Sequence, residues 1–176
     1  MRFITEGAAF SPHCIDKGTL AMLSHVTVSC GDKVLDLGCG YGAVGIYLAK
    51  LIGENKVFMS DVDKKCIALA RQNAALNDVS GINISISDGF KTLDEKDFSL
   101  ILSNPPYHAD FSIPKHFIEK GFNRLRMGGR IYMVTKRKDW YKNKLAAIFG
   151  GVSVYEAEGY YVFYAEKRGF RYANKS

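Results

Sequence analysis

Apolar positions along this chain fall into two alternating rhythms. Short runs of strand character cover residues 34–37, 56–60, 82–86, 98–103 and 130–135. Of these, Ile82-Asn83-Ile84-Ser85-Ile86 alternates strictly, while Phe98-Ser99-Leu100-Ile101-Leu102-Ser103 is nearly unbroken and reads as a buried strand. Between the runs the spacing lengthens to that of a helix. Val44, Tyr47, Leu48 and Leu51 predict a helix over 42–51. Cys66, Ile67, Ala70 and Ala74 predict another over 63–76, with Asp63 as its N-cap. Further helices are expected over 115–126, before a turn at Met127-Gly128-Gly129, and over 139–148. The runs at 151–156 and 160–166, joined by a turn at Gly159, predict an antiparallel hairpin. Strands alternating with helices indicate an α/β domain with a mostly parallel sheet, whose ligands sit beyond the carboxyl ends of the strands.

A chain of 176 residues, 47% hydrophobic and 24% charged, suits one globular domain with a sizeable core. No apolar run has the ~18 residues of a membrane span, and the first residues lack the apolar centre of a signal peptide. Cys14, Cys30, Cys39 and Cys66 are scattered without a C-x-x-C pair. That spacing disfavours a zinc site or a disulfide framework and fits a reducing cytoplasm. The histidines, His108 and His116 among them, lack partners at metal-ligand spacing, so no metal is expected. The net charge of +6 suits a polyanionic partner such as RNA. Its basic residues gather at Arg124, Arg126 and Arg130, at Lys136-Arg137-Lys138, and at Lys167, Arg168, Arg171 and Lys175. Trp140 and Tyr141, just after the second group, can either stack on RNA bases or pack on the core.

The most specific chemistry lies at Asn104-Pro105-Pro106-Tyr107, directly after the buried run. Two prolines cannot continue a central strand, because neither has an N–H for the ladder. The first also keeps Asn104 out of the helical region. The strand therefore ends in a stiff corner carrying an amide, bare carbonyls and a ring. Such a set suits a flat substrate bearing an NH2 group: the amide oxygen and a carbonyl accept its hydrogens, and the tyrosine stacks on its face. His108, next in line, can touch the same substrate.

Asp36-Leu37-Gly38-Cys39-Gly40-Tyr41-Gly42 joins the first strand to its helix. Gly38, Gly40 and Ala43 also match the dinucleotide pattern G-x-G-x-x-A, so the glycines alone do not select the ligand. Asp36 separates the readings. A carboxylate at this point would repel a pyrophosphate and suit a ligand carrying an ammonium group. Asp61, followed by Val62, closes the second strand, where an acid can accept both ribose hydroxyls; capping is its other reading. Ser87-Asp88-Gly89-Phe90 ends the third strand. Asp88 can accept from an adenine amino group and Phe90 can flank the ring, or the pair Asp88-Gly89 is simply a turn.

These residues together resemble a class I S-adenosylmethionine-dependent methyltransferase, and the resemblance covers nearly the whole chain. Asn104 to Tyr107 resembles the catalytic motif of enzymes that methylate planar amino groups. Gly7-Ala8-Ala9-Phe10-Ser11, followed by Asp16-Lys17-Gly18-Thr19-Leu20, resembles the segment preceding the glycine motif in the 16S ribosomal RNA guanine-N2 methyltransferase family. Glu158-Gly159-Tyr160-Tyr161-Val162 resembles that family's last hairpin. The resemblance implies a Rossmann-like sheet of seven strands in the order 3-2-1-4-5-7-6, with helices on both faces. It implies S-adenosyl-L-methionine as cofactor, held by Thr19, Asp36, Gly38, Cys39, Gly40, Asp61, Val62, Asp88, Gly89, Phe90 and Asn104. Thr19 is expected near its methionine end, unless it only caps a helix beginning at Leu20. Asn104, Pro105, Pro106 and Tyr107 are the expected catalytic set, with Phe10, Tyr107, His108, Lys136 and Arg137 on the substrate. The partner implied is ribosomal RNA or the small ribosomal subunit.

Two-domain members of that family carry a degenerate second copy of the domain. This chain is expected to form one domain over 1–176: an N-terminal segment and helix at 1–31, then the Rossmann-like core. Other readings stay open at this point. Glutamine methylation of release factors shares the four-residue corner but goes with a helical docking domain. Adenine-N6 methylation of nucleic acid shares it too. A nicotinamide oxidoreductase would use the glycine loop and leave the corner unexplained, and a silent RNA-binding module would leave both unused.

Overall fold

A computed structural model describes residues 1–5, 15–106 and 110–173. Helix α1 (Lys17–His25) precedes strand β1 (Val34–Leu37). Then come α2 (Ala43–Ile52), β2 (Val57–Asp61), α3 (Lys64–Leu76), β3 (Asn83–Ile86) and β4 (Phe98–Ser103). The second half adds α4 (Ser112–Arg124), β5 (Leu125–Thr135), α5 (Asp139–Phe149), β6 (Ser153–Ala157) and β7 (Tyr160–Glu166). The seven strands form one sheet in the order β3-β2-β1-β4-β5-β7-β6, as the resemblance implies. The first five strands pair in parallel, whereas β7 runs antiparallel to both β5 and β6.

Alternation along each strand divides the core into two layers. Val34, Leu100, Leu102, Tyr132, Val134 and Val162 face Met22 of α1, Ile46 and Leu48 of α2 and Ile67 and Ala70 of α3. Leu35, Leu37, Ile101, Ile131, Met133 and Phe163 face Phe117, Ile118 and Phe122 of α4 and Leu145 and Ile148 of α5. The chain thus changes faces between β1 and β4, which are neighbours. A crevice opens at the carboxyl ends of these two strands, and both the glycine loop and the proline corner follow them.

Several boundaries differ from expectation for identifiable reasons. Helix α4 begins at Ser112, three residues earlier than the apolar spacing suggests. Pro114 sits in its first turn, where a missing N–H breaks no helical bond. Met127-Gly128-Gly129 lies inside β5 and not in a turn between elements. There β5 bulges against β4: Phe98 pairs with Leu125, but Leu100 pairs with Arg130. Gly128 takes φ +73° at this bulge, and bonds between Gly128 N and Lys167 O (2.9 Å) and between Lys167 N and Gly129 O (2.8 Å) tie it to the chain after β7. The final hairpin closes through Glu158 and Gly159, both with positive φ, as its tight turn demands. Among the described residues no helix is long and apolar enough to cross a membrane.

Candidate active site

A cavity of about 470 Å³ occupies the crevice. The glycine loop forms one wall. Gly38 N and Cys39 N donate to Ser60 O of β2 at 2.8 and 3.0 Å, which pulls the loop across the end of that strand. Gly40 N donates to Asp61 Oδ2 at 2.9 Å. Gly42, the N-cap of α2, has φ +94°, and a Cβ there would crowd Ile46 and Met59 at 3.1 and 3.2 Å. Gly45, one turn on, allows its N–H to reach Asp36 Oδ2 at 2.8 Å; a Cβ at this position would lie 2.1 Å from Met59 Sδ.

The lining is strongly one-signed. Asp16, Asp36, Asp61, Asp63 and Asp88 border the cavity, and no lysine, arginine or histidine does so among its described residues. Asp36 is buried, and that burial pushes its carboxyl up to about 7, opposed by the Gly45 N–H and reinforced by the charge of Asp61. Asp61 Oδ1 accepts from Asp63 N at 2.9 Å, while Asp63 caps α3 by accepting from Lys65 N at 2.8 Å. The capping duty falls to Asp63, and Asp61 stands at the cavity with Val62 exposed beside it. Asp88 is exposed and paired with Lys91 at 2.5 Å; that bond and the lysine's charge hold its carboxyl below the usual range. Burial, then the charges of Asp36 and Asp61, push the Cys39 thiol far up, and Cys66 rises to about 11. Neither supplies a thiolate at neutral pH.

The opposite wall is the corner after β4, with Asn104, Pro105 and Pro106 on the cavity. Ser103 anchors its root by donating from Oγ to Leu37 O at 2.7 Å. Asn104 Nδ2 donates to Asp16 Oδ2 at 2.9 Å and to Thr19 Oγ1 at 3.1 Å. Asp16 also caps α1, accepting from Thr19 N at 3.0 Å. The cap of that helix is therefore Asp16, and the helix begins at Lys17, three residues before the Leu20 start considered from sequence. This leaves the Thr19 hydroxyl at the cavity.

Of the expected residues, Thr19, Asp36, Gly38, Cys39, Gly40, Asp61, Val62, Asp88, Gly89, Asn104, Pro105 and Pro106 meet around this one space. Phe90 does not. It is 5% exposed and packs into the α4 layer, because the residue after the positive-φ Gly89 turns inward. Phe117 and Ile113 of α4 supply the apolar wall there instead; α4 starting early is what brings Ile113 to the rim. Phe10, Tyr107 and His108 lie outside the described residues. Asp16 had no assigned role in the sequence, although its D-x-x-T spacing is a capping signal.

Lys136 and Arg137 directly follow the carboxyl end of β5 and are not in the cavity lining. Arg137 stacks over Phe111 at 4.7 Å, and Phe111 stacks on Trp140 at 4.5 Å. Tyr141 is 2% exposed and packs on Phe163, so only Trp140 of that pair is on the surface side. Other members of the basic set are engaged away from the cavity. Arg130 pairs with buried Asp32 at 3.4 Å, Arg124 donates to the carbonyls of Asp94 and Glu95, and Lys167 is buried against Leu125 O at 2.7 Å.

A family model described as Methyltransferase small domain matches residues 1–165. The chain is 30% identical over 171 residues to YbxB, an uncharacterized protein of Bacillus subtilis, covering 94% of this chain and 85% of that one. It is 35% identical over 153 residues to the ribosomal RNA small subunit methyltransferase C of Haemophilus ducreyi, covering 84% of this chain and 46% of the relative. Among solved structures it is similar to the T. thermophilus 16S rRNA N2 G1207 methyltransferase (RsmC) in complex with AdoMet and guanosine. The TM-score is 0.78 at 27% identity, over 91% of this chain and 45% of that one. The chain thus spans about half the length of the methyltransferase C relatives it matches.

Proposed function

The chain belongs to the methyltransferase small domain family, and from that premise we propose that it is an S-adenosylmethionine-dependent N-methyltransferase acting on the exocyclic amino group of a base in RNA. The target we favour is guanine N2 of 16S ribosomal RNA. One observation carries the reading: Asn104 and Pro105, which can offer an amide oxygen and a carbonyl as hydrogen acceptors, line a cavity whose charged residues, among those described, are all acidic. An acidic, phosphate-repelling cavity fits a ligand with ammonium and sulfonium charges and disfavours a nicotinamide dinucleotide. When bound, the cofactor supplies an electrophilic methyl group on sulfonium sulfur. Asp61 and Asp88 would hold its ribose and adenine, the glycine loop its middle, and Thr19 and Asp36 its methionine end.

The chain's own work is on the acceptor nitrogen. An aromatic NH2 is a poor nucleophile because its lone pair is delocalised into the ring. Accepting its two hydrogens at Asn104 Oδ1 and Pro105 O favours a pyramidal nitrogen with the lone pair free. The prolines keep both acceptors in one place, so little freedom is lost at the moment of reaction. No strong base is required beforehand, since an alkylated amino nitrogen becomes acidic. A paired base would have to be flipped out to reach this corner. The preference for RNA guanine rests on the Asp16–Leu20 and Glu158–Val162 resemblances, the net charge of +6, and the names of the relatives.

Two measurements test the proposal. Calorimetric titration should give binding of S-adenosylmethionine and none of NADH. Mass mapping of ribosomal RNA nucleosides from cells lacking the protein should reveal one missing N2-methylguanosine. A full complement of ribosomal methylations, with a missing methylglutamine in a release factor, would move the target from RNA to protein.

A further inference from the structure

The orientation of the Asn104 amide is set by residues far from it in sequence. Asp16 Oδ2 is a carboxylate oxygen with no hydrogen to donate; it accepts the Thr19 backbone N–H, and at 2.9 Å it accepts the Asn104 NH2, where the amide oxygen would find no donor. Asp16 Oδ1 is held in turn by the Tyr160 hydroxyl at 3.2 Å. Asp16 is 9% exposed and Tyr160 8%, so these bonds are largely shielded from water. Tyr160 opens β7 directly after the final hairpin turn and reaches Asp16 across the start of α1. Gly18 makes that crossing possible: a Cβ there would lie 2.7 Å from the Tyr160 ring and 2.9 Å from Asp16 Oδ2. Lys136 Nζ lies 5.0 Å from the centroid of the same ring.

We propose that Asp16, steadied by Tyr160, is the positioning residue that turns the Asn104 NH2 inward and so presents the amide oxygen to the substrate's amino hydrogens. An asparagine amide has two nearly equal ends. Reversed, it would place a donor against a donor and repel the group to be methylated. The buried acidic partner removes that choice before substrate arrives. This rests on the catalytic reading of Asn104 given above.

The test separates positioning from simple helix capping. Serine caps a helix as well as aspartate does but is too short to reach Asn104. Asp16→Ser should therefore fold and bind S-adenosylmethionine within a few-fold of wild type. Its kcat for transfer of labelled methyl to 16S ribosomal RNA from cells lacking the protein should fall about 100-fold. Asp16→Asn should recover most of the rate. Its oxygen can face Thr19 N and the Asn104 NH2 while its own NH2 donates to the Tyr160 hydroxyl. Asp16→Asn combined with Tyr160→Phe should lose that recovery, and it decides the matter if the serine variant fails to fold. A second readout needs no activity. The side-chain NH2 signals of Asn104, assigned by their loss in Asn104→Ala, should exchange slowly with solvent in wild type and Asp16→Asn and rapidly in Asp16→Ser. A folded Asp16→Ser with wild-type kcat, or with unchanged exchange of the Asn104 NH2, overturns the proposal. If wild type transfers no methyl to the RNA, the functional reading fails instead, and the exchange measurement still decides the orientation.

Discussion

The two walls of the cavity are held by different means. On the β1–β3 side the backbone does the holding: glycine N–H groups bond to Ser60 O, Asp61 and Asp36 within a short stretch of space and sequence. On the β4 side a single amide is held by side chains 88 and 85 residues away, the first of them, Asp16, tied in turn to Tyr160, 144 residues further on. Glycine-rich backbone can wrap closely around a bound molecule and contributes many modest bonds. A side-chain amide in a shielded network contributes one orientation. The first wall suits affinity for a constant cofactor, the second suits a reaction that needs two acceptors correctly aimed.

Substitutions that break one wall and spare the other should separate these roles. Asn104→Ala should remove turnover by at least about 1,000-fold, as expected for a lost transition-state contact that also fixed geometry. Its S-adenosylmethionine affinity, read by calorimetry, should stay within about threefold, since the other wall is untouched. Asp61→Ala should do the reverse. It removes the acceptor of Gly40 N–H along with the carboxylate proposed to hold the ribose, so cofactor affinity should fall about 10- to 100-fold. The rate at saturating cofactor should stay near wild type, in single-turnover measurements.

Asp36 sharpens the contrast through pH. Burial raises its folded-state value to about 7 from the ordinary 3.8. The folded protein therefore holds a proton there that the unfolded chain has lost between about 4 and 7, and stability falls as pH rises through that window. Asp36→Asn, which keeps an acceptor for Gly45 N–H, should melt several degrees higher than wild type at pH 8 and equally at pH 4. The same ionisation should strengthen binding of a cationic cofactor by about tenfold between pH 6 and 8 in wild type, and the variant should lack that dependence. The smallest effect is expected outside both walls. Lys136→Ala with Arg137→Ala should weaken RNA binding a few-fold and reduce its salt dependence by about one to two units of log–log slope, with little change in cofactor affinity.

The centre of the sheet was legible in the sequence, because β1 and β4 are buried on both faces and therefore read as short, largely apolar runs. Strands β1 and β4 and the final strand β7 fall where the hydrophobic pattern puts them. The bulge in β5 was not legible. Gly128-Gly129 carries the same local signal as a turn, and only the bonds to Lys167 after β7 make it part of a strand. Phe90 misled for a similar reason. Its position after a strand end suggests a ligand contact, but a single backbone rotation at Gly89 decides which way the ring points. A ring that does line the cavity on that side, Phe117, belongs to a helix whose start is obscured in the sequence by Pro114.

By itself the sequence determined the alternation of strands and helices, the glycine loop with its acids, and the proline corner. Each of these is a local pattern with a local physical cause: side-chain period, left-handed backbone, a missing N–H. Only the tertiary structure decided that the acids share one cavity with no basic residue among its described lining, that much of the basic set is engaged elsewhere, and that Tyr160 meets Asp16 where Asp16 meets Asn104. These depend on which strands lie side by side and on a helix passing close enough, at Gly18, for a tyrosine to reach over it. Proximity of that kind leaves no periodicity in the chain, because it is produced by packing and not by neighbouring residues.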